Sequence, residues 1–358
     1  MPVYKNKDNG TWYVMTQYTD WKGERKPKCK RGFATKREAQ DWEQKFQQQS
    51  SGDLDMPFSA FVEIYCREQQ PRLKESTWQT KENIIQQKIL PYFKDRKINE
   101  ITTKDVRAWQ NEMLAYRNEE NKPYSSSYLK TLHNQLSAIF NYAVRFYDLR
   151  SNPASKAGNM GSEERKEMLF WTKEEYQKFS EVMMDKPLSY YAFQMLYWTG
   201  IREGELLALT PADFDFEKGT VKISKTYQRL KGQDVITSPK TKKSNRTVQM
   251  PDFLCTEMQE FFGMQYGLKK KDRVFTVTKS YLHHEMEREA KEAGVKRIRI
   301  HDLRHSHISL LIDMGFSAVA IADRVGHESI EITYRYAHLF PSKQKEMAVK
   351  LDFMNKGV

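Results

Sequence analysis

The hydrophobic pattern begins with a short β-rich segment. The stretch TWYVMTQYTD alternates and is rich in β-forming residues, and a second strand candidate, PKCKRGF, comes after the turn at WKGERK. TKREAQDWEQKF then predicts a helix, because Thr35 and Glu38 have capping-box spacing. Its apolar residues share one face: Ala39, Trp42 and Phe46. We therefore expect a small sheet backed by one helix.

Four helix-like segments follow the polar linker QQQSSGDLDMP. The second is expected to end before Pro91, and the third to begin at Thr102 or Thr103. The fourth is SSSYLKTLHNQLSAIFNYAVRF, which stops at LRSNPA. The apolar residues at helical spacing are Phe58, Phe61, Val62 and Tyr65 in the first helix, Trp78, Ile84, Ile85 and Ile89 in the second, and Leu129, Leu132, Leu136, Ile139, Phe140 and Ala143 in the fourth.

A second linker, SKAGNMGSEERKE, precedes a region of mixed pattern that begins at Met168. WTKEEYQKF carries a capping box of Thr172 and Glu175, and SYYAFQMLYWTG predicts an apolar helix. Strands and turns are predicted between GTVKIS and RTVQMP, and helices return from SYLHHEMEREAKEAG onward. The C-terminal PSKQKEMAVKLDFM has a helical pattern that fits either docking on a neighbouring protomer or packing in its own domain.

Composition and charge indicate a folded protein with an acidic partner. The 358 residues suffice for two or three domains, and 39% are hydrophobic, which allows a packed core. Lys and Arg number 59 against 47 Asp and Glu, so the net charge of +12 favours nucleic acid as the partner. Residues 1–48 alone hold eleven basic against six acidic side chains, which fits a solvated basic face or a DNA-binding module.

The cysteines and the apolar runs argue against several classes of protein and of metal site. Cys29, Cys66 and Cys255 are far apart without CxxC spacing, so neither a disulfide framework nor a zinc site is indicated. The first residues lack the apolar core of a signal peptide, and no apolar run is long enough to span a membrane. We expect a soluble protein of the cytoplasm, without a membrane partner.

Two segments offer candidate residues for binding an anion. In TGIREGELLAL, Arg202 and Glu205 are three positions apart, so the carboxylate can orient the guanidinium, although an ordinary surface ion pair has the same spacing. SPKTKKSNRTVQM resembles a basic hairpin that faces solvent or phosphate. A single lysine at its tip, where Lys240, Lys242 and Lys243 are all present, can reach a leaving oxygen and act as an acid.

The segment HDLRHSH places His301 and Arg304 three positions apart on one side of a helix. A guanidinium beside an imidazole fits a phosphate, while a capping or buried polar pair is the alternative. His305 and His307 are assigned to other faces and interpreted as structural. Because no carboxylate or cysteine ligand set accompanies these histidines, no metal site is expected.

The segment RVGHESIEITYRYAH contains two tyrosines. Gly326 before His327 predicts a sharp turn, and Ser329 is placed to cap a new helix. On that helix Tyr334 and Tyr336 would lie about 200° apart, so one pocket does not easily use both. Tyr334 continues an apolar stripe and is interpreted as a packing residue, which leaves Tyr336 on the other side.

In this order the segments closely resemble the tyrosine recombinases, also called phage-type integrases. The family pattern is Arg, a hairpin Lys, HxxR, His or Trp, and Tyr. The matching residues are Arg202 with its acidic companion Glu205, Lys240, His301, Arg304, His327 and, nine residues later, Tyr336. Val325 stands where the family more often has Leu.

The resemblance covers nearly the whole chain and implies a multidomain, mainly α fold with small β elements. Residues 1–49 are expected to form an arm-type DNA-binding domain, a three-stranded sheet plus a helix. Residues 54–154 match a helical, SAM-like core-binding domain, and residues 165–358 a mixed α/β, mostly α, catalytic domain. The first domain is typical of integrases from phages or conjugative elements.

The resemblance also implies a mechanism. Tyr336 would attack a backbone phosphate to give a 3′-phosphotyrosyl link and a 5′-hydroxyl, without metal or cofactor. The other residues would have these roles: Arg202 and Arg304 bind the phosphate, Lys240 protonates the leaving oxygen, His301 acts as base toward the tyrosine and His327 donates to the phosphoryl group. The implied partners are double-stranded DNA with core and arm-type sites, three further protomers in a homotetramer, and accessory DNA-bending or excision factors.

Two alternatives remain open at this point. A type IB topoisomerase-like strand cutter would use the same residues to relax DNA without a specific site. A basic, non-catalytic DNA-binding regulator would have lost the chemistry, although all six candidate residues are present.

Overall fold

The structure is a computed structural model that describes residues 3–6, 10–19, 25–50, 54–162, 168–239 and 241–336. The chain divides into two compact units, Met1–Arg165 and Lys166–Val358. Both are dominated by helices and contain small antiparallel sheets, which confirms the predicted fold class. The finer division into three domains stays a prediction.

The first unit begins with an antiparallel sheet in the order β1-β2-β3. Its elements are β1 (Val3–Lys5), β2 (Trp12–Thr19), β3 (Arg25–Phe33) and the following helix α1 (Lys36–Ser50). The predicted capping box is confirmed, because the Glu38 amide donates to Thr35 Oγ1 at 3.2 Å and the Thr35 amide donates to the Glu38 carboxylate at 3.3 Å. Val14 and Ala39 are buried between sheet and helix.

The rest of this unit is a helical bundle. Its helices are α2 (Phe58–Gln69), α3 (Glu75–Ile84), α4 (Leu90–Phe93), α5 (Thr103–Ala115), α6 (Ser126–Phe146) and α7 (Pro153–Ala157). All the apolar residues predicted for its core are buried, and all except Trp78 and Leu129 belong to one apolar cluster. The hydroxyl of Thr102 accepts from the Asp105 amide, so α5 begins after Thr102.

The predicted end of the second helix before Pro91 is wrong. A π-helical turn, Ile85–Ile89, continues α3 directly into α4. Pro91 lies at the N-terminal end of α4, directly after the π-helical turn, in which the Leu90 amide donates to the Ile85 carbonyl.

The second unit surrounds a large apolar core with helices and two small sheets. Its helices are α8 (Lys173–Glu181), α9 (Pro187–Thr199), α10 (Glu203–Leu206), α11 (Asp252–Met264), α12 (Lys279–Glu292), α13 (Asp302–Asp313), α14 (Ala318–Val325) and α15 (Ile330–Tyr334). Its strands are β4 (Phe214–Asp215), β5 (Thr220–Ile223), β6 (Thr226–Leu230), β7 (Gln233–Thr237) and β8 (Arg246–Gln249). The capping box of Thr172 and Glu175 opens α8 as predicted.

The basic segment after β7 is not a hairpin of its own. The hairpin is formed earlier by β6 and β7, and β8 pairs with β5 in the sheet β4-β5-β8. The segment is therefore the loop that connects the two sheets, with a single 3-10 turn at Lys242–Ser244.

Several predictions fall outside the described residues. They concern Lys240, the C-terminal segment PSKQKEMAVKLDFM, residues 163–167 of the second linker, residues 51–53 of the first, and parts of the turns KDNG and WKGERK. Among the helices that the structure describes, none combines the length and the apolar character needed to cross a bilayer.

Candidate active site

Arg202 lies where α9 turns into α10. Gly200 ends α9 with a left-handed φ of 64°, and a Cβ there would lie 2.5 Å from the His307 ring, so the turn requires glycine. After this turn Arg202 precedes α10, and Glu205 accepts from its backbone amide at 2.9 Å and from Nη1 at 2.7 Å. The predicted pairing of Arg202 and Glu205 is therefore present.

Glu205 also binds Arg246 at the start of β8. Arg246 Nη2 lies 3.0 Å from Oε2 and Nη1 lies 3.3 Å from Oε1, and both side chains are nearly inaccessible to water. Burial alone would raise the pKa of Glu205, but the charges of Arg246 and Arg202 outweigh it and hold the pKa below its ordinary value. The carboxylate is thus ionised between two guanidinium groups.

Arg304 lies on α13, whose N-terminal end carries the exposed His301. Arg304 is 3% exposed, and its Nη1 donates to the Gly200 carbonyl at 2.7 Å. Nη2 is buried and has no hydrogen-bond partner among the described atoms. Burial, together with Arg202 and Arg246, lowers the pKa of Arg304 to about 9. A buried donor without a partner in a positive cluster is suited to an anion.

His327 follows the left-handed Gly326, whose φ is 70° at the end of α14. Its Nδ1 lies 2.8 Å from Thr333 Oγ1, and both side chains are buried. Burial, with further contributions from Arg304 and Arg202, lowers the pKa of His327 to about 3, so the ring is neutral at pH 7.

Tyr336 is buried in a small apolar cluster with residues of α13 and α14. The helix α15 ends at Tyr334, and Tyr336 lies in the following turn, where its amide donates to the Thr333 carbonyl at 3.0 Å. Because Tyr336 lies outside the helix, helical geometry does not set the angle between the two tyrosines. Tyr334 is 55% exposed, so its interpretation as a packing residue is wrong, whereas Tyr336 is 3% exposed.

His305 was missed as a functional residue, since its Nδ1 is hydrogen bonded to the Tyr336 hydroxyl. The assignment of His305 to another face of α13 is wrong: its ring centroid lies 5.2 Å from that of His301. The available signal was the spacing of four residues, which places two side chains on the same face of a helix.

His307 lies behind this site rather than in it. Its ring is buried against Gly200 and accepts a hydrogen bond from Arg324 Nε to Nε2 at 3.0 Å. Burial lowers its pKa to about 3. In the described residues we find no group of three or more side chains suited to hold a metal ion.

The described residues thus bring Arg202, Glu205, Arg304, His327 and Tyr336 to one region of the second unit. Arg202 Nη2 lies 3.4 Å from the Gly326 carbonyl, which precedes His327, and Arg304 is electrostatically coupled to Tyr336. His301 joins this region through His305. Such an arrangement can hold a phosphodiester between arginines beside a tyrosine hydroxyl.

Three family models match the chain. They are the phage integrase family at residues 170–343, the N-terminal SAM-like domain of phage integrases at 57–114 and an arm DNA-binding domain at 2–50. The chain is 30% identical to the ICEBs1 integrase of Bacillus subtilis (strain 168) over 339 residues, which cover 89% of this chain and 90% of that protein. The chain belongs to the phage integrase family. It is a tyrosine-type site-specific DNA recombinase.

Other members of the phage integrase family are similar in sequence and in fold. A XerC-like tyrosine recombinase from Caldanaerobacter subterraneus is 31% identical over 63% of this chain and 66% of its own length. The Tn1549 transposon integrase, solved with a circular intermediate DNA, superimposes with a TM-score of 0.66 at 20% identity, over 80% of this chain and 98% of that chain. Lambda integrase, solved as a tetramer on a Holliday junction, gives a TM-score of 0.58 at 18% identity, over 92% and 96% of the two chains.

Proposed function

We propose that this recombinase is the integrase of a phage or conjugative element, and that it cuts and rejoins double-stranded DNA through a phosphodiester link to Tyr336. The observation that carries the proposal is the unpartnered, buried Nη2 of Arg304 beside Arg202 and Tyr336. A buried guanidinium nitrogen without an acceptor is costly unless a ligand supplies one. A phosphodiester supplies two non-bridging oxygens in the geometry that arginine prefers.

The charge of the site supports an anionic ligand. Three guanidinium groups (Arg202, Arg246 and Arg304) lie around the carboxylate of Glu205. The mutual repulsion of these arginines contributes to the lowered pKa of Arg304. A phosphate would relieve that repulsion, and the extra negative charge of the transition state would relieve it further.

The proposed chemistry is a transesterification. The Tyr336 oxygen forms a bond to phosphorus and gives its proton to a neighbouring histidine, the bond from phosphorus to the 5′-oxygen breaks, and Lys240 supplies the proton that the 5′-oxygen takes up. Arg202 and Arg304 bind the non-bridging oxygens. His301 and His327 flank the same phosphate, His327 with its Nδ1 held by Thr333. The energy of the broken bond is conserved in the protein–DNA link, so rejoining needs no other energy source.

The proposed partners are core and arm-type DNA sites, three further copies of the chain, and accessory factors that bend DNA or favour excision. The exposed β3, which carries basic residues, supports a role for the N-terminal sheet in contacting DNA. The Tn1549 integrase complex supports DNA as the partner, and the lambda integrase tetramer on a Holliday junction supports a tetramer on DNA. We place this activity in the cytoplasm of a bacterium.

The test compares a supercoiled plasmid that carries paired attachment sites, taken from the DNA flanking the gene, with a plasmid that lacks them. We expect recombinant products, and covalent protein–DNA adducts after SDS treatment, with the first plasmid alone. Relaxation of both plasmids without recombination would favour the topoisomerase alternative. DNA binding without any adduct would favour the regulator.

A further inference from the structure

The mechanism above leaves His305, the hydrogen-bond partner of the Tyr336 hydroxyl, without a role. The Tyr336 hydroxyl is hydrogen bonded to His305 Nδ1, and the two ring centroids lie 5.5 Å apart. Tyr336 is 3% exposed and the His305 side chain is 15% exposed, so both are largely shielded from water. The hydroxyl that we propose as nucleophile therefore already has a protein base as its neighbour.

Asp302 lies on the other side of the His305 ring. His305 Nε2 is 3.8 Å from Asp302 Oδ1, and the carboxylate is buried. Arg299 fixes this carboxylate by donating from Nη2 at 2.7 Å to Oδ1 and from its backbone amide at 2.8 Å to Oδ2. At 3.8 Å the two atoms are too far apart for a hydrogen bond, but the negative charge of Asp302 still favours the tautomer with its proton on Nε2, which leaves Nδ1 free to accept.

We propose that His305 is the proton acceptor for Tyr336 and that Asp302 is its positioning residue, in a Tyr–His–Asp relay. The inference rests on the proposed function, because it takes Tyr336 as the nucleophile. As the Tyr336 oxygen bonds to phosphorus, its proton moves to His305 Nδ1 and the imidazolium is stabilised by Asp302. The same proton is available to return to the tyrosine oxygen when a 5′-hydroxyl attacks the phosphotyrosyl link.

The electrostatics leave the His305 ring neutral at pH 7, so that Nδ1 can accept from the Tyr336 hydroxyl. Burial, followed by the nearby His301, lowers the pKa of His305 to about 4, while Asp302 acts in the opposite direction. The other charges that face the ring, Arg299 and Arg304, lower it slightly further. Burial raises the pKa of Tyr336. At pH 7 a neutral imidazole therefore faces a protonated phenol, and the transfer accompanies the attack instead of preceding it.

The relay assigns to His305 the role that the family resemblance gave to His301. His301 is exposed at the N-terminal end of α13, and its described ring contact is with His305. Among the described contacts, His305 lies between His301 and the Tyr336 hydroxyl. His301 remains available to contact the proposed phosphate next to Arg304, which lies three residues further along α13.

The test measures single-turnover cleavage of a nicked core-site DNA by the full chain, as covalent adduct after SDS. In His305→Asn the amide oxygen can accept the tyrosine hydrogen bond but cannot take the proton. We expect the rate at pH 7 to fall about 100-fold, within the range of a general base. The matched control is His284→Asn, which changes an exposed histidine on α12 and should leave the rate unchanged.

The pH profile separates base catalysis from a structural effect. Without His305 the tyrosine must ionise before it attacks, so the rate of His305→Asn should rise about tenfold per pH unit between pH 7 and 9. The wild-type rate should be much flatter. Asp302→Asn should also cleave more slowly than wild type, and its rate should also depend more steeply on pH. His305→Gln serves as the second variant if the asparagine variant does not fold.

A DNA whose 5′-bridging oxygen is replaced by sulfur distinguishes the two proton transfers. A thiolate leaves without a proton, because its conjugate acid has a pKa of about 8.5. Lys240→Ala should be rescued by this DNA, whereas His305→Asn should stay slow. A wild-type rate and pH profile for both His305 variants would overturn the relay. Adduct formation by Tyr336→Phe would instead overturn the proposed function itself.

Discussion

Arg246 binds the carboxylate of Glu205 through both terminal nitrogens, at 3.0 Å and 3.3 Å, while the same carboxylate holds Arg202 at 2.7 Å. Arg246 Nε also donates to the Arg324 carbonyl at 3.0 Å. One buried arginine from β8 thus connects α10, which follows Arg202, to the end of α14, which precedes His327. We infer that Arg246 positions the proposed phosphate ligands.

Removal of this arginine should destabilise the fold as well as the site. Arg246→Met leaves Glu205 buried with a single partner, and loss of one member of a buried ion pair costs about 3 kcal/mol in the free energy of unfolding. Urea unfolding of the full chain measures this loss. The matched control is Arg297→Met, because Arg297 is 72% exposed and lies 3.4 Å from Glu287. That pair should contribute less than about 1 kcal/mol. Equal losses in the two variants would contradict the role of Arg246.

Gly326 should be intolerant of a side chain. Its φ is 70°, and a Cβ would lie 2.9 Å from Arg246 Cδ and 3.0 Å from the Lys243 carbonyl oxygen. In Gly326→Ala we expect the left-handed strain of about 1–2 kcal/mol together with displacement of Arg246 and a loss of cleavage. Gly315→Ala provides the control, because φ is 85° there and the space is open. Thermal unfolding and cleavage assays should show a larger loss in Gly326→Ala than in Gly315→Ala. If Gly315→Ala loses as much activity as Gly326→Ala, the contact with Arg246 is irrelevant.

Thr333 should matter through its hydroxyl. The side chain is buried, and Oγ1 lies 2.8 Å from His327 Nδ1. Thr333→Val keeps the shape but leaves a buried ring nitrogen unpaired, at a cost of about 1–3 kcal/mol. We expect slower adduct formation at unchanged DNA affinity, measured by single-turnover cleavage and by a gel shift. Thr333→Ser retains the hydroxyl and should behave like wild type; a slow serine variant would show that the methyl group is what counts.

His307 should make stability depend on pH. In the folded chain burial holds its pKa at about 3, below the ordinary 6.5. The unfolded chain therefore binds a proton that the folded chain does not, and stability is lost as the pH falls below 6.5. Between pH 7.5 and 5.5 this loss is about 1.4 kcal/mol.

The variant that isolates this effect is His307→Gln, whose amide oxygen can replace Nε2 as the acceptor for Arg324. Measured by urea unfolding, the free energy of unfolding of this variant should fall by about 1.4 kcal/mol less than that of wild type between pH 7.5 and 5.5. Identical pH dependence in the two proteins would mean that His307 titrates normally in the folded state.

The regular parts of the fold followed from local signals in the sequence. Capping boxes at Thr35, Thr102 and Thr172 all open helices, because the side-chain hydroxyl satisfies an amide that the helix leaves free. The helical spacing of the apolar residues identified the bundle core, because residues at that spacing lie on one face of a helix. The prediction that a helix ends before Pro91 failed, because a π-helical turn continues directly into α4 there.

The site was predicted less completely, since its contacts join residues far apart in sequence. The pairing of Arg202 with Glu205 followed from their spacing, but the second guanidinium on Glu205 comes from Arg246, 41 residues later. Tyr334 and Tyr336 were assigned by helical angles, although α15 ends at Tyr334 and a turn buries Tyr336. His305 was dismissed although its spacing from His301 already placed the two rings together. The role of Lys240 stays a prediction.

The measurement that tests the central claim most directly is the identity of the residue that carries DNA. Wild type, Tyr336→Phe and Tyr334→Phe are incubated with a nicked core-site DNA, stopped with SDS, and digested to locate the modified peptide. We predict an adduct on Tyr336 in wild type and in Tyr334→Phe, and none in Tyr336→Phe. An adduct that persists in Tyr336→Phe and disappears in Tyr334→Phe would contradict the account.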